Sequence, residues 1–351
     1  MRLNSFDYFR AIAILIIVTG HSYQPWVIDT FPEKIVGNLI TGGTSLFVFI
    51  SGFFFHYVFY PKFNYIKFIK KKTRNVFLPY LVLSSMAFLF IIVIRDKPYP
   101  QLIREITGLT DYLILYLQYF WTGCALTAYW YIPFIMIVFL MSPIFIRFIK
   151  LSRWKQISIF VVFLIVSIII KRPANNFGTF PYGTLHSVLY FTPIYLLGII
   201  YSLNQKTISS YIKNKIFIFA LLTVLLAIIQ ALLDRNDTFT LMGIKIFYSS
   251  IYIVMLQKIS MIFFFMALLQ KIDRKEIPIL KYIASISFAI YFIHPWVLYC
   301  DGPLRKIEYI RQLPGIIIVP VKTTIVLVIC LVIIKFCKKI LGNNSRYIIG
   351  W

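Results

Sequence analysis

Arg10 and His21 are separated by ten residues without charge, Ala11-Ile12-Ala13-Ile14-Leu15-Ile16-Ile17-Val18-Thr19-Gly20. In a helix the step from one to the other turns by about 1,100°, roughly 20° past three full turns, and rises about 16 Å. The two side chains therefore share one stripe. Such an apolar run reads as the middle of a helix in lipid, where ionisable groups are costly and face a cavity or a partner. A histidine titrates near neutrality, so His21 could take a proton from a hydroxyl or carry an acyl group. The plainer alternative is a histidine hydrogen-bonded within a bundle. Arg10 could grip a phosphate or carboxylate with two N–H groups, or snorkel to the membrane surface. Asp7, three residues earlier, lies on the same face and can pair with it.

A second constellation is Ser287, Tyr291 and His294, at i, i+4 and i+7 of an apolar run. They share a helix face that could line the same cavity or bond to neighbouring helices. His56 and His186 lie near span ends, where structural roles suit them better. The four histidines and four cysteines show no metal-ligand or CxxC spacing, so no metal site is expected. Gly42, Ser45, Phe49 and Gly52 recur at helical spacing, as residues permitting close helix approach do. Ser51-Gly52 could open backbone to a ligand. Trp130 and Tyr131 read as an outer aromatic belt or as a platform for a sugar ring.

The elements that must carry these residues follow from composition. The chain has 351 residues, 60% of them hydrophobic, and a mean hydropathy of +0.82. Soluble domains are only about 45–50% apolar. The excess runs along the whole chain, so the class is an all-α, polytopic membrane protein forming a single unit over 1–351, without a soluble domain or cleavable signal. About ten spans are expected, near 6–24, 37–60, 77–95, 127–148, 156–170, 187–203, 215–233, 246–270, 279–299 and 315–336. Residues 62–76 and 103–120 read as amphipathic stretches lying in the interface.

The net charge of +24 does not indicate nucleic acid. The cations gather beside spans, with 22 Lys and Arg in alternate connecting segments and 12 in the others. That pattern follows the positive-inside rule and meets anionic lipid, which puts both termini in the cytoplasm.

At this point the motifs resemble a known family. Asp7-Tyr8-Phe9-Arg10 with His21, Phe47-Val48-Phe49-Ile50-Ser51-Gly52-Phe53, and Lys70-Lys71-Lys72-Thr73-Arg74 before Pro79-Tyr80 are similar, in order, to motifs of the integral-membrane acyltransferase-3 family. Tyr129-Trp130-Tyr131-Ile132-Pro133-Phe134 and Ser287–Pro295 resemble two later ones. Ala11 stands where relatives often have Gly, and the inner basic segment is lysine-rich where an arginine pair is common.

The resemblance implies transfer of an acyl group, usually acetyl, from cytoplasmic acyl-CoA to a hydroxyl of a surface or lipid-linked glycan at a bacterial cytoplasmic membrane. It implies His21 and Arg10 as catalytic, and Arg10, Lys72 and Arg74 as holding the acetyl-CoA donor. Asp7, Ser51, Trp130, Tyr291 and His294 would contact substrate or line the cavity. Partners would be the glycan, membrane lipid and polysaccharide-synthesis machinery. The rival is an exporter or flippase of polysaccharide. Against coupled transport, no Asp or Glu falls mid-span and no inverted repeat is visible. A second rival is an assembly subunit in which the Arg10–His21 stripe has no chemical duty.

Overall fold

The computed structural model describes residues 4–23, 30–95, 108–170, 182–233, 238–241, 244–248, 253–300 and 314–351. They form a helical bundle. Seven of its helices are long and apolar enough to cross a membrane, or nine if two bent helix pairs each count as one span. The ten expected from hydropathy are thus met at seven to nine. Helix α1 (Asn4–Tyr23) is not among them. Its ends carry Asn4, Asp7 and Arg10 at one side and His21 and Ser22 at the other, which dilutes its apolar middle.

The second span is made of two helices, α2 (Phe31–Ile40) and α3 (Thr44–Phe54). Gly42 sits between them at φ +72°, a left-handed conformation that side chains resist. It therefore lies off the helix on which Ser45, Phe49 and Gly52 recur. A π-turn at Phe55–Phe59 and a short 3₁₀ turn at Tyr60–Lys62, which contains Pro61, close α3 before the next helix.

Helix α4 (Tyr65–Lys72) is not a separate interface helix. It runs through a π-turn at Thr73–Phe77 into α5 (Leu78–Ala87), making one apolar rod over Tyr65–Ile94. The π-turn lies immediately before Pro79, whose missing N–H cannot continue a regular α ladder. Helix α6 (Leu109–Thr122) covers the later part of the other expected amphipathic stretch; residues 103–107 lie outside the described residues. Leu113 and Leu117 face outward on α6, while Leu115 and Tyr119 pack inward.

Helices α7 (Tyr131–Leu140) and α8 (Ser142–Ile149) bend by 56° at a joint followed by Pro143. Helices α9 (Arg153–Ile170) and α10 (Tyr182–Leu203) follow. Then come α11 (Gln205–Ile212) and α12 (Ile216–Leu232), bent by 82°. Where hydropathy places the start of the eighth span at 246, a short antiparallel hairpin stands instead. Strand β1 (Thr238–Leu241) pairs with β2 (Ile244–Tyr248). The β-branched and aromatic run Ile244-Lys245-Ile246-Phe247-Tyr248 suits a strand. The helix α13 starts only at Val254 and runs to Lys271. Helices α14 (Pro278–Tyr299), α15 (Gly315–Leu341) and α16 (Ser345–Ile348) complete the chain.

Helix α10 is central: 78% of its apolar window is buried, against 11% of α9's. Helix α9 and α15 turn Val162, Ile165, Val332 and Phe336 outward, as lipid-facing helices do. Helix α10 meets α3 through two glycines. A Cβ on Gly52 would lie 2.1 Å from the Tyr195 carbonyl oxygen, and one on Gly198 would lie 2.2 Å from that of Phe49. Bare backbone there lets the helices approach closely. Around this contact Phe6 stacks on Phe49 and Phe53, and Tyr201 packs edge-on against Phe49.

The start of α1 is tied to the loop between α13 and α14. The Asp273 carboxylate accepts from the Ser5 backbone N–H, and Asn4 donates to the Asp273 carbonyl at 2.9 Å. Tyr8 donates to the Lys275 carbonyl and accepts from the Ile277 N–H. These contacts satisfy helix-end groups that would otherwise be orphaned.

Candidate active site

A small crevice with room for about one water, partly open to the exterior, lies beside the far end of α1. Ile17 and His21 form one wall, Thr44 and Phe47 of α3 another. Trp130 and Tyr131 with Ala128, and Phe288 and Tyr291 of α14, complete it. Its lining is largely apolar, with His21, Thr44, Tyr131 and Tyr291 among the residues around it.

His21 is half-buried. Its ring lies 5.4 Å, centroid to centroid, from that of His294. His294 is fully buried. Its Nδ1 lies 2.9 Å from the Ile290 carbonyl oxygen, the usual bond of a helical side chain to the preceding turn. A carbonyl only accepts, so Nδ1 carries the proton and Nε2 presents a lone pair. That buried Nε2 has no hydrogen-bond partner among the described residues. His294 thus stands behind His21 rather than in the pocket wall.

Tyrosine hydroxyls brace this arrangement. Tyr291 donates to the Ala128 carbonyl. Tyr129 donates to the Phe292 carbonyl at 2.9 Å and accepts from Trp296 Nε1 at 3.0 Å. Tyr131 is hydrogen-bonded to Ser51, so Ser51 acts on the pocket through Tyr131. Trp130 and Tyr131 are buried, at 7% and 6% exposure, instead of forming a belt. Trp130 stacks on Phe134 and Phe191, which fixes its plane. Ser287 turns its hydroxyl to its own helix, at the Ala284 carbonyl.

The other end of the α1 stripe is cationic. The Arg10 guanidinium lies over the Phe54 ring at 5.4 Å. The Lys72 ammonium sits among three phenyl faces, 4.7 Å from Phe59, 5.3 Å from Phe68 and 4.2 Å from Phe139. It is near enough to Arg10 for the two charges to repel. Arg74 points elsewhere, stacking on Tyr347 at 4.4 Å, so the three cations do not form one cluster. Asp7 is buried in the first turn of α1, where a carboxylate suits the positive helix end.

The remaining histidines are placed structurally. His56 Nδ1 is 2.8 Å from the Ser202 hydroxyl, and His186 Nε2 is 3.1 Å from the Ile170 carbonyl. Among the described residues no three His, Cys, Asp or Glu gather as metal ligands would.

Residues at positions 3–335 match the acyltransferase-3 family, described as an acyltransferase domain. The chain belongs to that family and is a membrane acyltransferase. No curated protein and no solved structure is found to match it.

Proposed function

We propose that this protein moves an acyl group, acetyl in the simplest case, from cytoplasmic acyl-CoA to a glycan hydroxyl. The acceptor belongs to a surface or lipid-linked polysaccharide, and the membrane is the bacterial cytoplasmic membrane. One observation carries the reading: a single α1 stripe joins a cation site at Arg10 to a histidine in an aromatic pocket about 16 Å away.

Arg10 and Lys72 fit an anionic donor. Two like charges held together against aromatic faces are stabilised when an anion sits between them, and Arg10 can bind a phosphate with two N–H groups. The separation to His21 suits the length of an extended thioester arm. The donor supplies an acyl carbon activated as a thioester.

At the pocket end, Trp130 and Tyr131 line the crevice by which an acceptor hydroxyl would reach His21. His21 takes the proton of the acceptor hydroxyl as its oxygen bonds to the acyl carbon. The carbon–sulfur bond breaks, and the proton returns from His21 to the departing thiolate. A shift of the His21 ring toward His294 Nε2 would let that nitrogen accept from the His21 N–H, fixing the tautomer that leaves His21's other nitrogen basic. Apolar walls keep competing water out.

The test is the ester-linked acyl content of the host's surface polysaccharide, read by NMR in wild type, deletion and His21→Ala strains at matched levels of inserted protein. Loss in both mutants with continued polymer export is the expected result. Persistent acylation in the deletion strain, with polymer retained inside, would replace the enzyme by an exporter.

A further inference from the structure

Lys258 is the one charge placed deep within α13, and it is 1% exposed. A buried amine inside a span is costly and calls for a partner. Its partners are backbone carbonyls at the end of α2. Nζ donates to the Asn38 carbonyl at 2.9 Å and lies 3.4 Å from that of Leu39.

Those carbonyls are orphans of a helix end, since α2 stops at Ile40. Three of the last four accept hydrogen bonds. The Gly37 oxygen accepts from the Thr41 N–H and hydroxyl. The Asn38 oxygen accepts from Lys258 and also from Gln257 at 3.1 Å. The Leu39 oxygen faces the amine. The Ile40 oxygen packs against Gly20, where a Cβ would stand 2.8 Å away. Gly42 leaves the space its Cβ would fill to Lys258 Cε, at 2.9 Å.

This joint adjoins the reacting end of α1. Gly20 precedes His21 in the chain, and Gly43 packs on Ile16 and Ile17. The next residues form the first turn of α3, from which Thr44 and Phe47 enter the pocket. We propose that Lys258 is a positioning residue for acyl transfer: its amine ties off α2, and so fixes the joint that sets the α3 wall opposite His21. This rests on the acyl-transfer reading above.

The test uses the full chain, purified in lipid nanodiscs, with acetyl-CoA as donor and oligosaccharide from the host's polysaccharide as acceptor. Thiol release gives kcat and KM, and thermal unfolding reports the fold. In Lys258→Met we expect kcat to fall about ten- to a hundredfold, the cost of small misplacements at a reacting centre. Donor KM should hold within roughly twofold, because Arg10 and Lys72 lie at the other end of the stripe. A folded Lys258→Met with unchanged kcat overturns the proposal. So does a loss of kcat matched by equal losses of donor affinity and Tm, which marks general damage.

If Lys258→Met is not recovered from membranes, Gly42→Ala carries the test. It keeps the amine but strains and displaces the joint, so kcat should again fall selectively; wild-type kcat in that folded variant overturns the proposal. Failure of the parent reading would look different: wild type itself would transfer no acyl group, or His21→Ala would remain as active as wild type.

Discussion

The two histidines of the pocket differ in environment, and the difference assigns their duties. His21 forms part of the pocket wall, whereas His294 is sealed behind it with its Nδ1 committed to Ile290. His21→Ala should therefore cost about 10²–10⁴ in kcat, the usual contribution of a proton-transfer group. His294→Gln, which keeps an acceptor of similar size, should lose less than His294→Ala. Comparison of kcat across these variants at equal folded yield checks this, and equal losses in the two His294 variants would remove its orienting role. Arg10→Lys should raise donor KM more than it lowers kcat, because a point charge replaces a planar fork. Titration of acetyl-CoA against initial rate reads that split. At this scale the sequence was informative. The unbroken apolar run between Arg10 and His21 made both visible, and the periodicity of Ser287, Tyr291 and His294 made their shared face visible. Lys258 did not stand out in the sequence, because its partners are backbone carbonyls of a distant segment.

Helices are held here by close backbone approach and by ties to loops, and both make quantitative demands. Gly52→Val sets a branched side chain where even a Cβ would overlap the Tyr195 carbonyl. Helices α3 and α10 must then separate, with a cost of about 1–3 kcal/mol or more. A lowered Tm of solubilised protein, with reduced recovery from membranes, is expected; an unchanged Tm would mean that the contact is loose. Asp273→Ala removes the carboxylate that accepts from the Ser5 N–H at the start of α1. By analogy with lost helix caps, that should cost about 1 kcal/mol, again read as Tm. Hydropathy placed most helices well, because apolar length is what a bilayer selects. It missed interruptions set by single residues. Gly42 looked like one more small residue on a packing face, yet its left-handed backbone ends α2. The π-turn before Pro79 and the hairpin before α13 were hidden because apolar composition alone does not distinguish these backbone paths.

Across the whole molecule the contacts sort functional groups into two ends. The start of α1 is bonded to the loop at Asp273 and Lys275. Arg74 stacks on Tyr347, and Lys338 lies over Trp351, so the basic segments and the chain's last helix gather at one end with Arg10 and Lys72. His21 is carried to the opposite end of α1, near His294 of α14. Cys300 caps α14 one residue past its last turn and is exposed. By the positive-inside rule the basic end is expected in the cytoplasm, so the pocket end should face outward. A variant retaining Cys300 alone, with Cys124, Cys330 and Cys337 replaced, should react in intact cells with a membrane-impermeant maleimide. A variant retaining only Cys337, partly exposed near the basic end of α15, should react only after the cells are opened. The reverse pattern would invert the molecule. Arg10 and Lys72 could then not meet a cytoplasmic donor, and the direction assigned to the acyl group along the α1 stripe would have to be given up.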